Sequence, residues 1–101
     1  MIHTNPYPPI TLTGESITER VLRGLGPDPN RVVLIDGPSG REMTAGALEG
    51  GIRRLAGGLQ ARGIGKGDVV AVLAAKIADY AIVFHGAAFA GGPVTLFSAC
   101  Y

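Results

Sequence analysis

Tryptophan is missing from this chain, cysteine occurs once, and aromatic and charged residues are scarce, at 6% and 17% of 101 residues. A single thiol cannot close an intramolecular disulfide or supply a Cys-rich zinc site, so Cys100 reads as a small structural residue near a strand end, in keeping with a reducing, cytoplasmic setting. The net charge is +1, and apart from Arg53-Arg54 the basic residues are scattered. That distribution gives no basic patch for nucleic acid or anionic lipid. The first fourteen residues, MIHTNPYPPITLTG, have neither a basic lead nor an apolar run before their prolines, which argues against a secretory signal. The stretch from Tyr80 to Tyr101 is nearly free of charge, but Gly91-Gly92-Pro93 interrupts it, so no transmembrane segment is expected.

What the chain has in quantity is small and aliphatic. Hydrophobic residues make up 47%, and there are sixteen glycines, which is too apolar for a disordered tail and enough for one small domain. Residues 1–30 read as an extended Pro- and Thr-rich arm followed by a short helix. Ser16 caps that helix, Glu19 three residues on completes a capping box, and Gly24 and Gly26 close it.

Residues 31–101 read as a partial α/β unit. Val32–Ile35, Val69–Leu73 and Val94–Phe97 are short apolar runs suited to buried strands. Between them, Leu48, Ile52, Leu55 and Leu59 mark one face of a long helix opened by Thr44 and closed by Gly63, and a nearly all-apolar second helix runs from about Ala78 to Ala90. Strands alternating with helices predict three parallel strands with crossover helices, a β-α-β-α-β piece. Two such helices and a short one cannot cover both faces and both edges of that sheet. An uncovered apolar face and a tendency to self-associate or to pair with a further polypeptide are therefore expected.

Several motifs invite a functional reading, and each has a plainer one. Gly63-Ile64-Gly65-Lys66-Gly67-Asp68 looks like a phosphate loop, but it leaves a helix and enters a strand, the reverse of what anion binding at a helix N-terminus needs, and Gly67 stands where Ser or Thr is required. It reads as a tight turn. Asp36, Gly37, Ser39 and Gly40 could hold a ligand at a strand end, although Asp and Ser in such a turn ordinarily bond their own backbone. His85 has only Asp79, six residues away, as a distant partner, and Ser98 lacks a nucleophile-elbow context, so both read as structural. No catalytic, cofactor-binding or metal-binding residue is assigned.

The order of elements carries more than any one motif. A strand ending in Asp36, a Gly-rich turn, Thr44 opening a helix with Leu48, Leu55-Ala56 and Leu59, then Arg62-Gly63, Gly67-Asp68-Val69-Val70, Tyr80, and Ala90-Gly91-Gly92 before Val94-Thr95, together resemble the amino-terminal segment of adenylate-forming acyl-CoA synthetases. Within that family the likeness is to 4-coumarate:CoA ligase-like and fatty-acyl-CoA ligases. The resemblance implies an incomplete piece of a larger adenylate-forming domain, and for the complete enzyme ATP, Mg2+ and coenzyme A as cofactors and a carboxylic acid as substrate. It departs from the family pattern at Ala45 and Ala47, at Ala75-Lys76, where a cation would face a helix N-terminus, and at Ser98-Ala99. The family's phosphate-gripping loop ending in Pro-Lys-Gly, its Tyr-Gly-x-Thr-Glu element, its ribose-holding Asp and its carboxy-terminal lysine have no counterpart among these residues. The reading that results is a truncated relative, inactive alone. The alternatives are a stand-alone α/β interaction module and, more weakly, a nucleotide-binding module using the Asp36–Gly40 turn.

Overall fold

A computed structural model describes residues 2–74 and 78–98. Lys76, expected to face a helix N-terminus, and Cys100, expected near a strand end, lie outside the described residues. Residues 2–14 form no helix or strand, and all of them are exposed. The Cα radius of gyration is 16.4 Å, against about 13 Å for a compact domain of this length, so the chain is not drawn into one ball.

Helix α1 covers Ile17–Gly24. Its start is the capping box expected: Ser16 Oγ accepts from the Glu19 amide at 3.1 Å and the Glu19 carboxylate accepts from the Ser16 amide at 3.2 Å. Two of the four N–H groups a helix leaves unpaired at this end are thus satisfied locally.

The first expected strand is where the structure corrects the sequence. Strand β1, Val32–Ile35, does not join a three-stranded parallel sheet; it pairs antiparallel with β2, Glu42–Thr44, with Val32 opposite Thr44, Ile35 opposite Glu42 and a register shift between Val32 and Leu34. The reason lies in the connection. Asp36–Arg41 is six residues long, too short for a parallel crossover of a dozen or more, and it closes on itself: the Asp36 amide donates to the Arg41 carbonyl at 2.8 Å and the Gly40 amide to the Asp36 carbonyl at 2.7 Å. The chain has two parallel strands among its described residues, not three. They are β3, Val70–Ala74, and β4, Val94–Ser98, in register from Val70–Val94 to Ala74–Ser98. The mixed helix-and-strand class and the partial-domain character stand as read from the sequence.

Helix α2, Ala45–Ala61, begins at Thr44, whose hydroxyl accepts from the Ala47 amide at 3.2 Å. It ends as expected at Gly63, φ +80°, in a Schellman arrangement: the Ile64 amide donates to the Leu59 carbonyl and the Gly63 amide to the Gln60 carbonyl. Helix α3, Asp79–Phe89, has no side-chain cap among the described residues and no fully solvent-facing side, since each of its residues is buried or half-buried.

Helices α2 and α3 meet through two glycines. A Cβ on Gly51 would stand 2.6 Å from Cδ1 of Ile82, and one on Gly86 would stand 2.7 to 2.9 Å from Cδ2, Cβ and Cγ of Leu55. Each helix therefore seats an aliphatic side chain of the other in a glycine notch. The core gathers beside this contact, with Leu25, Met43, Ala45, Leu48 and Ile52 buried and Leu22, Val33, Leu34, Ala81, Ile82 and Phe89 packed on them.

Across β3 and β4 the picture differs. Val72 is buried against the helical side, but the opposite face carries Val69, Leu73 and Phe97 with 65%, 70% and 46% of their surface exposed. In-register parallel pairs share a face, so Ala71-Thr95 and Leu73-Phe97 make one continuous bare surface. The uncovered apolar face expected from strand composition is present.

Candidate functional site

No single place in the described residues gathers reactive groups, and each candidate from the sequence resolves into local structure. The Asp36–Gly40 segment is the tip of the β1–β2 hairpin. Its Asp36 carboxylate accepts from the Ser39 hydroxyl, and Ser39 Oγ in turn accepts from the Arg41 amide at 3.2 Å, so both side chains serve the turn.

The Gly63–Asp68 segment is likewise a turn. The Asp68 amide donates to the Gly65 carbonyl at 3.0 Å while the Asp68 carboxylate accepts from the Gly65 amide at 3.1 Å. This turn leans on Gly91-Gly92 backbone to backbone: a Cβ on Gly92 would come 2.9 Å from the Asp68 carbonyl oxygen, and one on Gly65 3.4 Å from that of Ala90. Beside that contact the Val70 amide donates to the Pro93 carbonyl at 2.8 Å and opens the β3–β4 ladder. The glycines serve packing at the strand starts.

His85 has a partner that the sequence did not disclose. Its Nδ1 lies 3.1 Å from the hydroxyl oxygen of Thr18, which is fully buried on α1, and the Phe84 ring stands edge-on to the imidazole with 5.0 Å between centroids. Burial holds the imidazole pKa below its usual 6.5. A largely neutral ring locked to α1 positions a helix. Asp79, the other titratable group considered with it, instead pairs with Arg41 at 2.9 Å, joining the start of α3 to the hairpin. Ser98 closes β4. Among the described residues no cluster of three or more His, Cys, Asp or Glu side chains could hold a metal, and no helix is long and apolar enough to cross a membrane.

Among the described residues an open groove of about 290 Å³ lies between α1, α2 and the end of α3, lined by Glu19, Leu22, Arg23, Glu49, Arg53 and Phe89. Its charges alternate and are largely paired: Arg53 contacts Glu49 at 3.1 Å and lies over the Phe89 ring at 5.5 Å, and Arg23 contacts Glu15 at 2.7 Å. It offers no surplus charge to an anion or cation.

With the local sites exhausted, the whole fold is the informative feature. A luciferase-like enzyme from the nonluminescent Zophobas morio mealworm superposes with a TM-score of 0.78 over 87% of this chain and 21% of its own, at 23% identity. A nonribosomal peptide synthetase solved with α-methyl-L-serine-AMP bound gives 0.74 over 83% of this chain and 9% of its own, at 24% identity. The fold is thus a portion of that found in these two enzymes. Residues 24–100 match the family described as AMP-binding enzyme, and the chain belongs to that family.

Among curated relatives, a probable 4-coumarate–CoA ligase 1 of Dictyostelium discoideum is 30% identical over 98 residues, 97% of this chain and 18% of that protein. The 4-coumarate–CoA ligase 3 of Oryza sativa subsp. japonica is 43% identical over 65 residues, 64% of this chain and 12% of that protein. The chain spans less than a fifth of the length of these relatives. The resemblance to the amino-terminal part of adenylate-forming acyl-CoA ligases, read first from the order of Asp36, Thr44, Gly63, Asp68 and Gly91-Gly92, is upheld by these matches.

Proposed function

We propose that residues 1–101 are a scaffold portion of an ATP-dependent carboxylic acid:coenzyme A ligase, and that alone they do not activate an acid. The observation that carries this is the family match over residues 24–100 in a structure whose Asp36–Gly40 and Gly63–Asp68 turns are closed by their own hydrogen bonds. Adenylation needs cations and backbone donors converging on a triphosphate, and the described residues gather no such set at either turn. On this reading ATP, Mg2+ and coenzyme A, with a fatty or aromatic acid as substrate, belong to a complete cytoplasmic enzyme. Residues 1–30 are then an extended arm and short helix preceding the 31–101 unit. Mixing the purified chain with ATP, Mg2+ and a hydroxycinnamic or long-chain fatty acid should release no pyrophosphate above a chain-free control. Release that scales with chain concentration and requires the acid would overturn the proposal.

The bare β3–β4 face favours a second reading, a stand-alone α/β interaction module that associates with itself or with another polypeptide. The codons that follow Tyr101 discriminate the two. A continuation carrying the phosphate loop supports the ligase portion, and an unrelated neighbouring gene supports the module.

A further inference from the structure

Helix α1 is anchored unevenly. Its second half is held by apolar burial, with Leu25 buried and Leu22 packed on the core. In its first turn Ile17, Glu19 and Arg20 are exposed, and the one buried residue is Thr18, which has no accessible surface. A polar side chain in that position needs a partner. The partner it has is titratable: Thr18 Oγ1 lies 3.1 Å from Nδ1 of His85 on α3 and 3.5 Å from the His85 carbonyl oxygen. The hydroxyl has a single proton to give. With a neutral imidazole the shorter contact takes it, which makes Nδ1 the acceptor and places the ring proton on Nε2.

We infer that this contact is a pH-sensitive latch, holding the first turn of α1 on α3 while His85 is neutral and releasing it when His85 is protonated. Protonation puts a hydrogen on Nδ1, so Thr18 must accept there and turn its own proton to the carbonyl, at a distance where a hydrogen bond is weak. It also sets a cation in a half-buried site. Burial already holds the imidazole pKa below its usual value, as expected where docking disfavours the charged form. The elements packed on α3 do not offset that charge. Helix α1 carries Glu19, Arg20 and Arg23, α2 carries Glu49, Arg53 and Arg54, α3 itself carries Asp79 and Tyr80, and β3 and β4 carry no ionisable residue. Among the described residues the ion pairs are Arg23 with Glu15, Arg53 with Glu49 and Arg41 with Asp79, and none includes His85. Because the undocked imidazole binds its proton more readily, acid favours release. A helix of eight residues has little stability of its own, so the released turn frays while Leu22 and Leu25 stay seated.

The test measures amide exchange by NMR at pH 7.5 and 5.5 in the wild-type chain, His85→Gln and Thr18→Val, read as protection factors at Glu19 and Arg20, whose amides bond Ser16, with Leu55–Leu59 of α2 as the reference. In the wild type, protection at Glu19 and Arg20 should fall severalfold at the lower pH while the α2 amides keep theirs. His85→Gln, which retains an acceptor but does not titrate in this range, should show no such fall. Thr18→Val should lack first-turn protection already at pH 7.5, and it decides the matter if His85→Gln does not fold. An equal fall in wild type and His85→Gln would assign the effect to another group, such as the Glu19 carboxylate of the capping box, and overturn the latch. So would a simultaneous loss in α1 and α2, which is global unfolding, or a Thr18→Val first turn as protected as the wild type's.

Discussion

Replacing Gly86 with alanine tests the contact on which the helical layer depends. Two effects oppose each other. Alanine in a helix interior is favoured over glycine by about 0.5–1 kcal/mol, because glycine loses more backbone freedom on folding. Against that, the new methyl would stand 2.9 Å from the Cβ of Leu55, an atom fixed to the α2 backbone that no rotamer change can withdraw. Relief requires α2 and α3 to move apart, and overpacking of this kind costs about 1–3 kcal/mol while also loosening the Ile82 seat at Gly51. The net expectation is a loss of about 1–2 kcal/mol, or a fall in Tm of roughly 4–16 °C at the sensitivity of a domain this size. Gly57 and Gly58 provide the internal control. Both lie in the exposed middle of α2 with nothing within 4 Å of a built Cβ, so Gly57→Ala and Gly58→Ala should each stabilise by about 0.5–1 kcal/mol. Urea titrations followed by far-UV circular dichroism on the three variants and the wild type give the comparison. If Gly86→Ala is as stable as Gly57→Ala, the notch is not closed in solution and the reasoning fails.

Three further outcomes follow from the same structure. Ser16→Ala removes half of the α1 capping box and should destabilise by about 1 kcal/mol, with frayed amides confined to residues 17–20 in hydrogen exchange; equal exchange in both proteins would show that α1 is held by Thr18 alone. Because burial lowers the pKa of His85 in the fold, the unfolded chain takes up its proton first on acidification: its contribution to stability is full above about pH 6.5, declines below that value, and is gone once pH has fallen through the folded pKa. His85→Gln should flatten that slope, and an unchanged pH profile would count against it. Arg41→Gln breaks the exposed pair with Asp79 and should shift stability by less than about 0.5 kcal/mol, so a larger loss in thermal melts would reveal a partner beyond Asp79.

The parts of the fold legible in the sequence were those decided within a few residues. Ser16 with Glu19, Thr44, and Gly63 before Ile64 announce helix ends because the bonds that cap a helix span three to five residues. The β1–β2 pairing is only half legible: Asp36–Gly40 reads as a turn, but Glu42-Met43-Thr44 is too short and too polar to stand out as a strand beside the helix it precedes. Its register shift further blurs the alternation that would have marked it. The Thr18–His85 bond joins residues 67 apart, beyond the reach of any local pattern. The notches at Gly51 and Gly86 leave no mark in the sequence, since they appear only when two helices are laid together. The sheet's bare face, by contrast, followed from simple coverage: three apolar runs and too few helices.

That bare face also has a calorimetric consequence. Heat capacity rises on unfolding because apolar surface enters water, by about 1.2–1.5 kcal/mol/K for an ordinary 100-residue domain. Val69, Leu73 and Phe97, like Ile10 and Leu12 on the arm, are already largely hydrated in the folded monomer, so the rise should be smaller and the stability curve flatter. Such a molecule changes little in stability across tens of degrees and unfolds over a broad range of temperature. Any association that dries those side chains would restore both the curvature and the sharpness of the transition.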